Sequence, residues 1–453
     1  MDFKKESEKY FDIAVKNLQG LIKINSVYDE KSVTKEAPYG MGVSNAFKFM
    51  EKLAKEDGFD VDMCDGHCIE ISTGTEGKTI GIFAHLDVVP ISGEWTYPAF
   101  SAEIHDGKMY GRGTSDDKGP AMAAYYALKL LKDKKLIKGY KVKLVLGGNE
   151  ERGSSCLKYY FNTLKKPQPE YGFTPDGDFP LIYGEKGICD FDLVGKLDLA
   201  PVLSIDAGVA PNAVIDSAIV TLKNAKPLLN YLDNHKNVAY KLLKEEDDIT
   251  TIKFIGKSAH GSMPEKGINA GMNLLEALAA TYKNPEIVKF VSQFKDFNGR
   301  GVNECHETKY LGITTYNLGI LSYKDGLYKA TINFRYPEGI NSKELFARIQ
   351  KQTNLKLVPD EDERVLYFDP EKTKFIKVLA DVYVRETGDT VNKPMTIGGG
   401  TYAKECTNVV AFGSHFPGKE DYIHSPDEKI GMEDFYTSIH LYADAILSLG
   451  NIK

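Results

Sequence analysis

The sequence is short of the features that would put a chain in a membrane, in an oxidising compartment or on nucleic acid. It contains no stretch of about 18 uncharged apolar residues. Its opening, Met-Asp-Phe-Lys-Lys-Glu-Ser-Glu, has no apolar signal core. A cytoplasmic location is the expectation. Cysteine is sparse: six residues, at 64, 68, 156, 189, 305 and 406, are scattered rather than framed for disulfides. Cys64-x-x-x-Cys68, with His67 between, is half of a metal clip without a second half, and it reads as a hairpin turn around Asp65-Gly66. Positive charge is also in short supply, with 57 Lys and Arg against 64 Asp and Glu and a net charge of -7. That balance argues against a nucleic-acid or anionic-membrane partner, both of which require a concentrated positive field. The one small basic cluster, Lys132, Lys134 and Lys135, falls at a helix end and complements the helix dipole. No internal repeat is evident.

What is present is an ordinary globular composition, 42% apolar and 27% charged, in a chain of 453 residues. That length exceeds what one core usually serves, so two domains are expected. Helical spacing of Phe11, Ala14, Val15, Leu18, Leu21 and Ile22 predicts a helix over 3–24. A second helix is expected over 44–57, capped by Ser44 and stopped at Gly58. Strands at 59–63, 68–73, 79–84, 141–146 and 171–174 alternate with a helix over 120–133, the pattern of a doubly wound, mostly parallel or mixed sheet. Beyond Gly187 the texture changes to longer strand-like runs, such as 188–194, 218–222 and 329–335, with helices at 226–234, 271–282 and 342–353. Residues 188–366 therefore read as an inserted α+β domain. A helix over 371–387, a glycine-flanked strand at 409–413 and a closing helix through Phe435 and Ile446 return to the first style.

The chemistry gathers at predicted strand ends. The run 81–90, Gly-Ile-Phe-Ala-His-Leu-Asp-Val-Val-Pro, delivers His85 and Asp87 to one side at the carboxyl end of a strand, where α/β sheets hold their sites. Asp116 and Asp117 precede a helix, Glu150 and Glu151 follow the 141–146 strand, Asp176 follows the 171–174 strand, and His424 lies in a loop. Taken singly, these residues read as caps or solvated loop groups. Together they form an imidazole and carboxylate set of the kind that suits zinc, manganese and related ions, and five ligands with one shared carboxylate are enough for two metals. So many converging carboxylates require positive charge among them.

Six stretches in order then carry a resemblance: His85-Leu-Asp-Val-Val-Pro, Gly111-Arg-Gly-Thr-Ser-Asp-Asp-Lys-Gly, Asn149-Glu-Glu, Pro175-Asp-Gly-Asp, Ser258-Ala-His-Gly-Ser-Met-Pro and His424-Ser-Pro-Asp-Glu. With the Gly-Gly-Gly-Thr-Tyr-Ala run of 398–403, the chain resembles the M20 metallopeptidases, and within them the PepV-like dipeptidase branch. The resemblance implies a catalytic domain of 1–187 and 367–453, interrupted by a lid domain of 188–366. It also implies two divalent metal ions, zinc foremost with manganese or cobalt as alternatives. Asp116 would bridge them, with His85 and Asp176 on one and Glu151 and His424 on the other. Asp87 would orient His85, Glu150 would be the general base, His260 would meet the scissile carbonyl oxygen, and Asn212 and Arg335 would hold the substrate. A cis bond is implied between Asp116 and Asp117. His415 departs from the small or apolar residue expected there, which raises the question of a second histidine crowding the site.

The activity so implied is hydrolysis of the amide bond of dipeptides by a monomer, on a small peptide substrate. Two other readings are an aminoacylase or deacetylase acting on N-acyl amino acids, and an inactive peptide-binding relative. The long lid favours the dipeptidase, and a mere binder would have no need of Glu150.

Overall fold

The computed structural model describes all residues from Met1 to Lys453. They form two compact units: Met1–Gly184 with Phe368–Thr396 and Thr401–Lys453, and Glu185–Tyr367 with Ile397–Gly400.

The centre of the first unit is the strand Lys78–His85, buried continuously from Ile80 to His85. It is flanked in parallel by Tyr140–Gly147 and Tyr171–Thr174, and Val409–Ala411 adds a further parallel pair to the latter. Antiparallel strands complete the sheet: Cys68–Gly74 on Tyr140–Gly147, Asp60–Asp62 beyond it, and Ile182 beside Ala411. The result is a mixed sheet with a parallel middle. An unbroken apolar run is what such a middle demands, because both of its faces are covered. Register sets the function: His85 lies opposite Gly147, so the ends of three parallel strands bring 85–87, 149–151 and 174–176 to one edge.

The helix Lys118–Asp133 is buried on nearly every side from Lys118 to Leu128. Such a helix must be enclosed by other elements; it packs against Phe3–Ile22, Met432–Gly450 and the central strand. The helix expected from Ser44 starts earlier, at Met41, with Gly40 in the cap position and Ser44 inside the first turn. Asp117 occupies the cap position of the Lys118 helix but makes no capping bond, because its carboxylate is used elsewhere. The turn around Asp65-Gly66 joins two antiparallel strands as a single 3-10 turn, and all six cysteines are free.

The second unit is an eight-stranded antiparallel sheet in the spatial order 239–246, 249–255, 217–223, 202–207, 315–324, 327–336, 187–196, 356–363. Helices Lys226–Asn234, Ala270–Tyr282, Pro285–Phe294 and Ser342–Gln350 accompany it, the last ending three residues before the expected 353. Both edges resist strand addition. Ala239–Glu246 is exposed and charged with a register shift at Leu242/Lys244, and Lys356–Glu363 carries Pro359 and a bulge. No helix is long and apolar enough to cross a membrane.

Phe173, wholly buried on its strand, packs its ring on Phe412 and Tyr442 at 5.7 and 5.3 Å. Phe173→Ala is expected to cost about 3–5 kcal/mol of unfolding free energy by cavity formation. Denaturant titration checks this, and a loss under about 1 kcal/mol would mean that the core beneath the site collapses to fill the space.

Candidate metal centre

His85 ends the central strand with its side chain fully buried. Its Nδ1–H donates to the Asp87 carbonyl at 3.0 Å, which leaves Nε2 to face the ligand cluster and to take a metal once its proton is displaced. Nε2 lies 2.9 Å from Asp116 Oδ1 and 3.9 Å from Asp176 Oδ2. The second Asp116 oxygen lies 2.9 Å from His424 Nε2, which is in turn 3.0 Å from Glu151 Oε1. Asp116 is thus common to two groups, His85 with Asp176 and Glu151 with His424, and within each group the ligand atoms all lie within 4.8 Å of one another. The Asp116–Asp117 peptide is cis.

Asp87 does a second job beside the one expected. Its carboxylate is 3.5 Å from His85 Nδ1, whereas its two oxygens accept the backbone N–H groups of Glu150 and Glu151 at 3.1 and 3.2 Å. The carbonyl and the carboxylate of Asp87 both face His85 Nδ1, and the same carboxylate fixes the Glu-Glu loop. Asp117 likewise accepts from the His85 backbone N–H at 3.0 Å, tying the helix start to the central strand.

The electrostatics follow from burying many acids together. Burial alone would raise the Asp116 carboxyl, but the His424 and His85 imidazoles against its oxygens hold it well below the usual range. Burial opposes charge on His424 too, yet Asp116 and Glu151 outweigh it and push the imidazole up to about 11. Asp117, buried near Asp176, is driven well above the normal carboxyl range, as is Glu150 by burial and then by Asp176 and Glu151. These acids lack sufficient positive charge from the protein. Two imidazole nitrogens and three carboxylates, split into two overlapping groups, fit two divalent cations of the zinc type.

His415 stands outside both ligand groups. Its Nδ1 lies 2.9 Å from Asp178 Oδ1, and its backbone bonds Gly177 and Phe179. It lines a cavity of about 600 Å³ that also includes Asp176 and Ser115.

In the second unit the structure gathers Asn212, His260 and Arg335 around one loop. The Gly261 N–H donates to the Asn212 carbonyl at 2.7 Å, and Ala213 pairs with His260. His260 is exposed, with Nδ1 2.6 Å from Ser262 Oγ. A side chain at 261 would run into Asn333 Oδ1 at 2.9 Å, and that oxygen accepts from Arg335 Nε. Arg335 is buried and also donates through Nη1 to the Gly398 carbonyl.

Three buried polar groups lie inside the recognised motifs without having been given a role. Lys118 Nζ donates to the carbonyls of Leu21 and Ile24, and burial lowers it to about 7. Tyr402 presents a ring edge to His85 at 6.1 Å and places its hydroxyl 2.9 Å from Cys156 Sγ, over Gly147, where any side chain would collide with that hydroxyl. Glu428 is wholly buried behind Asp116. Lys118 stands two residues after Asp116 and Glu428 four after His424, whereas the run that holds Tyr402 contains no ligand.

A histidine and carboxylate cluster at the carboxyl ends of the parallel strands of a mixed sheet, in a chain with a separate antiparallel unit, has the donor set of a metal-dependent hydrolase. Comparison with known proteins gives the family. The pattern of Peptidase family M20/M25/M40 matches residues 81–448, and the chain belongs to that family. YtjP of Bacillus subtilis strain 168, provisionally named a dipeptidase, is 35% identical over 452 residues, 96% of each chain. Among solved structures, the di-peptidase Dug1p of Saccharomyces cerevisiae superposes with a TM-score of 0.59 at 14% identity, covering 99% of this chain and 98% of its own. YXEP of Bacillus subtilis, a dinuclear metal-binding peptidase of the M20 family, gives 0.52 at 10% identity over 98% and 99% of the two chains. At such identities these two structures speak for the fold.

Because Asp87 holds two N–H groups with two oxygens, Asp87→Asn sets an amide N–H against one of them. Turnover is expected to fall about 10- to 100-fold, as for other groups that orient metal ligands. Steady-state kinetics on the folded variant checks this, and wild-type turnover would remove Asp87 from the loop's support.

Proposed function

We propose that the chain is a metal-dependent dipeptidase with two divalent cations, zinc foremost and manganese or cobalt as alternatives. The observation that carries this reading is Asp116, whose two oxygens each meet a different histidine within two overlapping ligand groups. His85 and Asp176 would hold one ion, Glu151 and His424 the other, with Asp116 between. Bound there, the ions would supply the charge that polarises the amide carbonyl and makes water a better nucleophile.

The remaining roles fall to side chains. Glu150 follows Asn149 in the loop fixed by Asp87 and, with Glu151 given to metal, is the carboxylate left to take the proton of the attacking water. It then passes that proton to the leaving nitrogen. Burial suits this work, since a carboxylate of raised proton affinity is a stronger base. His260 donates to the developing oxyanion, and its bond to Ser262 orients the ring. Arg335, bonded through Nε and Nη1, keeps Nη2 for the free carboxylate of a short peptide, and Asn212 lies one hydrogen bond from the same loop. The protected sheet edges support a monomer. We place its action on small peptides in the cytoplasm.

Glu150→Gln tests the assignment. An amide cannot accept the water's proton, so kcat for dipeptides is expected to fall by about 10² to 10⁴ while both metals are retained. Turnover and metal content measured together check this, with N-acyl amino acids as competing substrates. Loss of metal along with activity would make Glu150 a ligand, and preference for N-acyl amino acids would replace the dipeptidase reading.

A further inference from the structure

Glu428 is a carboxylate with no exposed surface, and its surroundings are built around it. Oε1 accepts three backbone N–H groups, from Gly113 at 3.0 Å, Ser115 at 2.9 Å and Asp116 at 3.2 Å. Oε2 accepts from Arg112 Nη1 at 2.6 Å. The Glu428 carbonyl accepts the Gly111 N–H at 2.9 Å, and the Lys429 carbonyl accepts the Ser115 hydroxyl at 2.8 Å. Just beyond, Lys429–Gly431 pairs antiparallel with Lys108–Tyr110. One residue therefore accepts four of the six backbone N–H groups of the 111–116 loop, those of Gly111, Gly113, Ser115 and Asp116, while Arg112 and Thr114 donate to the Ala99 and Gly111 carbonyls.

Arg112 has little else to hold. It is 1% exposed, and its Nε and Nη2 atoms make no hydrogen bond within the protein. Its guanidinium stacks 5.3 Å from the ring of Trp95. A buried cation so thinly satisfied depends on the Glu428 carboxylate, which has Arg112 as its one cationic donor beside three backbone N–H groups. The pair is worth its desolvation only if the loop geometry it enforces matters.

We propose that Glu428 is a positioning residue that sets both metal positions at once by fixing the peptide of Asp116. The inference rests on the two-metal reading above. Asp116 presents Oδ1 to His85 and Oδ2 to His424, so a tilt of its peptide moves both oxygens together. Glu428 also stands four residues after His424, and thereby ties the segment carrying that ligand to the loop carrying Asp116. Loss of a single ligand such as Glu151 acts on one group only. Loss of Glu428 acts on two.

The test is calorimetric titration of the metal-free, full-length protein with zinc, alongside thermal unfolding. The wild type takes up two zinc ions per chain. In Glu428→Gln both binding steps weaken together, each by about 10- to 100-fold, whereas Glu151→Ala weakens one. A merely structural Glu428 would lower the melting temperature and leave zinc affinity per folded chain unchanged, which overturns the proposal; so does weakening of one step alone. Should Glu428→Gln fail to fold, the Arg112 variants decide. Arg112→Met weakens both steps, and Arg112→Lys, which still donates to Oε2, restores them to within about threefold. Equal zinc affinities in Arg112→Met and wild type overturn the proposal. A wild type that takes up fewer than two zinc ions instead removes the two-metal reading itself, so the two failures are told apart.

Discussion

Mutual repulsion of buried carboxylates is the constraint on which the catalytic unit depends. Asp116, Asp176, Glu150 and Glu151 converge with only two imidazoles among them, and Asp87, Asp117 and Glu428 stand directly behind. No arrangement of water and backbone makes such a cluster favourable by itself, and the protein reacts as expected. His424 is drawn to a strongly raised pKa, and Glu150 and Asp117 are pushed toward their neutral forms. Cations relieve both tendencies together, since they neutralise the acids and displace the imidazole protons. The supporting groups act on backbone rather than on the ligands' charged ends. Asp87 holds the Glu-Glu loop, Asp117 holds the His85 peptide, and Glu428 holds the 111–116 loop.

The sheet makes this convergence available at low cost in chain. Three parallel strands end at one edge, and four residues or fewer beyond each end are enough to carry a ligand. The strands can then be selected for burial alone, while the loops are selected for chemistry. The second unit separates the tasks in another way. Its antiparallel sheet supports the 256–263 loop, and Gly261 is small enough to let that loop lie against Asn212 and Asn333. Arg335 is brought to the same place by the strand Leu327–Tyr336.

How much of this was legible in the sequence depended on the range of the interaction. The central strand and its His85 could be read because a buried parallel strand is a continuous apolar run, and the stretches with Glu151 and Asp176 could be read because each follows such a run. The mostly parallel or mixed sheet followed from the alternation of strands with helices, and an inserted α+β domain from the change of texture near Gly187; that its sheet is antiparallel throughout was not read. Partners distant in sequence were not legible. Ser44 has the right chemistry for a cap, but the chain enters that helix through Gly40. Asp117 looks like a helix cap, and is instead taken by a backbone N–H thirty-two residues away. Asp87 was expected to steer His85, and its further hold on the backbone of Glu150 and Glu151, more than sixty residues away, was not legible. Glu428 gave least sign of its part, because its five donors come from a loop more than three hundred residues upstream.

The account turns on Asp116 serving two cations rather than one. The most direct measurement is the zinc content of Asp116→Ala after equilibrium dialysis against limiting zinc, compared with the wild type on folded protein. A shared carboxylate predicts loss at both positions, with occupancy falling toward zero in parallel. Retention of one full equivalent of zinc per chain would show that Asp116 serves a single ion, and would contradict the account.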